Sequence, residues 1–177
     1  MPYETRIIRD LEGLESLRSD WGALATHPNA DLDFYRLIVR SRLPGVSPYV
    51  LALQEGGSLV ALAVGRVEEA TVDFRIGYRT VWAPRVRALT LVYGGWLGDQ
   101  SDDVATAIVL EFMSALKNGE ADLIQFDWLP TESSLYRIAR STPSFLCRDH
   151  VVQSQMHSLM GLRGTLDEVL GQLSSNH

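Results

Sequence analysis

The sequence predicts a mixed α/β (α+β) fold, one central sheet covered by helices on both faces. Two observations predict it. Runs that read as strands and helices come in the order strand, helix, helix, three strands, helix, strand, helix, strand. That order suits a single sheet covered by helices and is too short in βαβ units for a doubly wound fold. The second observation is the stretch Leu89 to Gly119. Here the apolar run Ala88-Leu89-Thr90-Leu91-Val92-Tyr93 breaks at Gly94-Gly95, crosses Trp96-Leu97-Gly98-Asp99 and enters a helix from Ser101 to Lys117. A strand, a glycine loop and a helix N-terminus form a geometry in which backbone N–H groups hold anions. In this chain Asp99, Asp102 and Asp103 stand where the anion would sit.

The elements arise from local chemistry. Tyr3 to Arg9 reads as a short strand around Ile7 and Ile8, and Asp10 is a good N-cap for the helix after it. Leu11, Leu14, Leu17, Trp21 and Leu24 recur at helical spacing, and His27-Pro28-Asn29 closes that helix. A second helix is expected from Leu32 to Leu43, with Phe34, Leu37 and Ile38 as its buried face and Pro44-Gly45 as its stop. Its charges, Asp31 and Asp33 early and Arg36, Arg40 and Arg42 late, complement the macrodipole.

Tyr49 to Gln54 and Leu59 to Val67 are β-rich runs joined by Glu55-Gly56-Gly57-Ser58, a hairpin signal. Their apolar character on both faces suits strands covered on each side. From Glu68 to Pro84 the pattern loosens into an extended connection or irregular strand. In the long helix Val104, Ile108, Phe112 and Ala115 share a face, Ser101 is the N-cap and Gly119 the residue after the C-cap. Asp122 to Leu129 alternates, with Ile124, Phe126 and Trp128 on one face and Gln125 and Asp127 on the other. A short helix from Ser133 to Arg140 comes next, then a last sheet segment from Cys147 to Leu162 and a final helix from Thr165. Residues 1–163 are expected to form one domain and 164–177 a C-terminal helix.

Composition narrows the classes of function. A hydrophobic fraction of 46% and a charged fraction of 21% are those of a globular chain long enough to bury a core. A net charge of -6 argues against non-specific nucleic-acid binding, which needs basic surface. The single cysteine, Cys147, makes no internal disulfide or Cys-rich metal site and reads as a half-buried apolar residue. The N-terminus lacks the regions of a signal peptide, and no apolar run approaches the roughly 20 residues of a membrane span. The expected location is cytoplasmic.

Beyond the element order, four stretches carry a family resemblance. They are Asp20-Trp21-Gly22-Ala23-Leu24, the stretch Tyr49 to Leu62 with its Glu55-Gly56-Gly57-Ser58 turn, Asp127-Trp128-Leu129-Pro130 followed by Ser133-Ser134-Leu135, and Gly164 to Leu170. On these the chain resembles the GNAT acyltransferases, and more closely the first half of the two-domain BioF2-like or CelD-like bacterial acetyltransferases. The resemblance implies a mainly antiparallel sheet and acyl transfer from acyl-CoA to an amine or hydroxyl. It also implies a second GNAT domain after the C-terminal helix, and a small-molecule or saccharide acceptor. GNAT domains that bind CoA carry Arg/Gln-x-x-Gly-x-Gly/Ala between this strand and this helix. This chain has Gly94-Gly95-Trp96-Leu97-Gly98-Asp99, with no basic lead-in and an acidic exit. The expectation is a non-catalytic half, one wall of an inter-domain cleft, that binds no CoA alone. The alternatives are a stand-alone binding or dimerisation module and a complete small enzyme.

This frame singles out candidate site residues. Tyr93 stands where GNAT strands splay and is a candidate general acid; its plainer role is an amphipathic strand end. Asp127 is a candidate to orient an amine nucleophile, or else a cap toward Thr131. His157 is a candidate base, since an unperturbed imidazole titrates near neutrality, or a structural histidine. Trp96 and Trp128 are candidates for a substrate cleft or partner interface. His27, His150 and His177 read as loop or tail residues. No Ser/His/Asp, metal-ligand or P-loop spacing stands out, so neither a metal nor a nucleic-acid partner is expected.

Overall fold

A computed structural model describes residues 3–25, 27–150 and 154–156. Five strands form one sheet and stand side by side in this order: β1 (Glu4–Ile8), β2 (Val46–Glu55), β3 (Ser58–Thr71), β6 (Arg85–Gly98) and β7 (Leu123–Phe126). The first three junctions are antiparallel and β6 runs parallel to β7. The mixed, mainly antiparallel sheet expected from the sequence is therefore present. Two further strands, β4 (Phe74–Ile76) and β5 (Arg79–Trp82), form a separate hairpin.

Helices cover both faces. Helices α1 (Leu11–Glu15), α2 (Arg18–Leu24) and α3 (Leu32–Ser41) lie on one face, over Val46, Val50, Ala52, Leu62, Val64, Val92 and Leu97. Helices α4 (Asp102–Lys117) and α5 (Ser134–Ser141) lie on the other, over Tyr49, Leu51, Leu53, Ala61, Ala63, Leu89 and Leu91. The alternation of these two sets along β2, β3 and β6 is the period of a strand buried on both sides. Phe112 of α4 anchors the second face, edge-on to Tyr49 at 5.8 Å and stacked on Phe126 at 5.6 Å.

The caps behave as their residue types predict. The Asp10, Asp31, Ser101 and Ser133 side chains each accept a backbone N–H in the first turn of their helix. Gly119 follows the C-cap of α4 with φ +69°.

Several expectations are corrected. The first helical stripe is two short helices, because Ser16 and Leu17 close i−3 bonds to Gly13 and Leu14 and interrupt the i−4 ladder. Helix α3 buries Leu32, Tyr35 and Val39, whereas Phe34 and Leu37 are exposed. Tyr35 wins the inward face because its ring packs on Trp21 and its hydroxyl donates to the Gly65 carbonyl. The stretch after Glu68 is more structured than expected: β3 continues to Thr71, and the β4–β5 hairpin, irregular between Phe74 and Arg75, comes next.

The expected glycine loop is a strand. Residues 94 to 98 belong to β6, where Trp96 and Leu97 pair with Ala63 and Leu62. The glycines instead make a wide irregularity in which Val92 to Gly95 lie opposite the single residue Val64. Strand β7 stops at Phe126, so Trp128 does not share a face with Ile124 and Phe126; it turns out at φ +57°. Phe145–Cys147 is a 3-10 turn and Cys147 is exposed, not half-buried. The rest of the expected last sheet segment, including His157, and the final helix from Thr165 lie outside the described residues. Among the described residues, no helix is long and apolar enough to cross a membrane.

Candidate functional site

The site is built where two parallel strands part. Strands β6 and β7 pair from Ala88↔Leu123 to Leu91↔Phe126 and no further. Beyond Leu91 the irregularity at Val92–Gly95 interrupts the pairing of β6 with β3, and β7 ends. A cleft of ≈ 270 Å³ opens between the parted strands and α3. Its walls include Phe34, Ile38 and Arg42 from α3 and its C-cap, Arg66 from β3, Thr90 to Tyr93 from β6, and Asp127 and Trp128 after β7.

Strand register explains the polar lining. Arg66 pairs with Thr90, and Thr90 pairs with Gln125. These three residues therefore form a row across β3, β6 and β7, on the face otherwise covered by α1 to α3. Asp127 comes two residues after Gln125, and the Gln125 amide donates to Asp127 Oδ1 at 2.9 Å. Asp127 is thus held from the last residues of β7, and the Thr131 hydroxyl bonds Glu132. Thr90 is buried.

At the other wall a single carboxylate meets two guanidiniums. Arg66 Nε donates to Glu68 at 2.9 Å and Arg42 Nη1 to the same carboxylate at 3.3 Å. Both arginines line the cleft.

Tyr93 sits in the irregular part of β6, half-buried, with the His27 ring edge-on at 4.5 Å. His27 also seats against Gly94. A Cβ on Gly94 would collide with the imidazole, and φ +72° there suits glycine. The His27 Nδ1 accepts the Asn29 N–H at 3.1 Å, so a neutral His27 carries its proton on Nε2.

The corner beyond β6 is built differently. Gly98, at φ +85°, crosses so close to Val60 that no side chain fits. The Asp99 N–H donates to the Val60 carbonyl at 3.0 Å. The Asp99 carboxylate then accepts both the backbone N–H of Ser101 at 2.9 Å and its hydroxyl at 3.0 Å. At the first turn of α4, Asp102 forms a two-pronged pair with Arg137 at 2.8 and 3.0 Å. The hydrogen bonds from Arg137 hold the Asp102 carboxyl below its ordinary value. The Asp99 carboxylate thus takes both Ser101 donors at the start of α4.

Of the residues singled out in the sequence, the structure brings Tyr93, Asp127 and Trp128 together in the cleft. Trp96 does not join them: it is buried in the core under α4, its Nε1 donating to the Asp99 carbonyl at 3.1 Å. His150 bonds the Phe145 carbonyl and packs on that ring, well within the loop role expected of it. Sequence reasoning missed Arg42, Arg66 and His27. A signal existed for Arg66, a charge inside an otherwise apolar strand followed two residues later by Glu68. Among the described residues, no cluster of three or more His, Cys, Asp or Glu is placed to hold a metal ion.

No family model matches the chain, and no curated protein does. Among solved structures, a transcriptional regulator from Bacillus halodurans C-125 has TM-score 0.49 at 13% identity, covering 88% of this chain and 100% of its own. Glucosamine-6-phosphate N-acetyltransferase from Arabidopsis thaliana has TM-score 0.47 at 11% identity, covering 89% and 99%. A predicted acetyltransferase with acetyl-CoA from Clostridium acetobutylicum has TM-score 0.43 at 13% identity, covering 86% and 96%. Likeness at this level carries no functional inference; the chain's own geometry must carry it.

Proposed function

We propose that this chain is a GNAT-type domain of an acyl-CoA-dependent acyltransferase that forms the acceptor-side wall of the substrate cleft and does not itself seat the CoA diphosphate. The observation that carries this reading is the parting of parallel β6 and β7 past Leu91 and Phe126, which opens a polar-lined cleft beside Tyr93 and Asp127. Asp99 supports the second half of the proposal, since its carboxylate already takes the Ser101 donors at the corner leading into α4.

In such a transfer an amine nitrogen bonds the thioester carbonyl carbon and gives up a proton, the C–S bond breaks, and the sulfur takes up a proton and leaves as thiol. In this reading Asp127 holds the acceptor amine through a hydrogen bond, and Tyr93 donates to the departing sulfur. The thioester reaches the cleft from a second GNAT domain or from a partner copy. Titration calorimetry of the chain with acetyl-CoA tests the division of labour. Affinity weaker than millimolar is expected, and micromolar binding would overturn it. Thiol release on adding candidate amines, with and without the second domain, tests the acyltransferase reading itself.

A second reading, a stand-alone binding or dimerisation module, is favoured by the β4–β5 hairpin. There Phe74 and Trp82 stack at 4.9 Å in the open, beside exposed Ile76, Tyr78 and Val81. Exposed apolar surface of this kind marks interaction sites. Light scattering separates the two, since a tight dimer lost on replacing Trp82 supports the module.

A further inference from the structure

The geometry points to an acceptor that carries an anionic group as well as an amine, with Arg66 and Arg42 holding the anion and Asp127 the amine. This rests on reading the cleft as the acceptor site. The two ends of the cleft differ in charge. At the β3 end, two guanidiniums share the single carboxylate of Glu68, which leaves positive charge in excess. Among the described residues, Glu68 accepts from Nε of Arg66 and Nη1 of Arg42. An arginine has five N–H donors in a planar fork, so the far edges of both groups lie outside that pair. Such a fork matches carboxylate and phosphate oxygens two at a time.

Glu68 has a second effect, which is to hold Arg66 in place. The Arg66 side chain is 22% exposed, so its charge acts in surroundings less screened than open solvent. At the β7 end the charge is reversed. Asp127 is half-buried, fixed through Oδ1 by Gln125, and its other oxygen is outside that bond. One strand lies between Arg66 and Gln125, about 10 Å or two strand spacings, and Asp127 stands two residues farther along, past the last β6–β7 pair. Side chains reaching in from each wall narrow that span to the length of a small amino acid or amino phosphate. The cleft of ≈ 270 Å³ has room for such a ligand.

The test is calorimetry on the full chain, without CoA, using four probes: 4-aminobutyrate, its neutral amide, butyrate and O-phosphoethanolamine. The anionic amines are expected to bind about tenfold or more tightly than the amide, the scale of one charge-assisted pair. The stronger of 4-aminobutyrate and O-phosphoethanolamine identifies a carboxylate or a phosphate as the anion. Arg66→Gln should erase the preference for acid over amide. Arg42→Gln, at the exposed side of the cleft, should reduce it without touching the sheet. Asp127→Asn should erase the preference of 4-aminobutyrate over butyrate. Equal affinity of acid and amide, an acid preference that survives in Arg66→Gln with an intact thermal melt, or no binding by any probe overturns the proposal. The calorimetry contains no thioester, so probe selectivity there, with no thiol released from acetyl-CoA in a separate assay that includes the second domain, sinks the acyltransferase reading and leaves this one standing. Thiol release from acetyl-CoA as fast with neutral amines as with amino acids does the reverse.

Discussion

Strand β6 borders two openings that the same protein treats in opposite ways. At its end, between Gly98 and α4, carboxylates face the helix N-terminus and the Ser101 donors are taken by Asp99. Beside its middle, where β7 falls away, two arginines and one aspartate line open space. A helix N-terminus attracts anions by default, yet here its own acidic residues satisfy it. The parting strands attract nothing by default, yet there the strand register sets charges of both signs. The contrast shows that backbone geometry creates an opening and side-chain charge decides what enters it.

The largest effect expected from breaking this contrast is on the shut side. Gly98→Ala places a Cβ against the Val60 carbonyl at φ +85°, so it should cost about 3 kcal/mol or more of stability. Gly56→Ala, at φ +56° with open space around it, isolates the backbone part and should cost about 1–2 kcal/mol. Chemical denaturation of both variants measures the difference; equal losses would mean that the close approach to Val60 is unimportant.

Next comes the packed face under α4. Tyr49 is 2% exposed, and its hydroxyl has no hydrogen-bond partner among the described residues. Burial, with Glu120 nearby, pushes its hydroxyl up from 10.0 to about 12. Folded Tyr49 therefore keeps a proton that the unfolded chain releases, and stability falls as pH rises from 10 through about 12. The loss over that window is on the order of 2 kcal/mol. Burial raises the Tyr35 hydroxyl as well, in the same direction. Tyr49→Phe should flatten part of the alkaline decline and leave neutral-pH stability nearly unchanged, as equilibrium melts from pH 9 to 12 would show.

Reversing the charge at the corner sharpens the comparison further. Asp99→Asn with Asp102→Asn should raise acetyl-CoA affinity about tenfold or more, because two like charges no longer oppose the diphosphate. Unchanged binding would shift the exclusion from charge to shape. The smallest effect belongs to Arg137→Ala, which removes a well-exposed ion pair with Asp102. Its melting temperature should barely move, since exposed pairs contribute little.

Much of this was legible in the residues. Asp10, Asp31, Ser101 and Ser133 announce their helices because a cap is a local bond within three residues. The β2–β3 hairpin was legible for the same reason, and Tyr93, Asp127 and Trp128 were found as strand-end residues. The cleft's cationic wall was not legible. Arg66 gains its meaning only from pairing with Thr90 across β6, and Arg42 from the docking of α3. His27, set aside as a loop residue, meets Tyr93 and Gly94 across a long stretch of chain.

By itself the sequence determined the helix caps, the β2–β3 hairpin and the acidic exit into α4, all set by neighbours within a few residues. Tertiary structure decided that Gly94 and Gly95 widen a strand instead of ending it, that Trp96 is core, and that α3 buries Tyr35 in place of Phe34. Those outcomes depend on what the next strand or helix offers, and a local pattern does not contain that information.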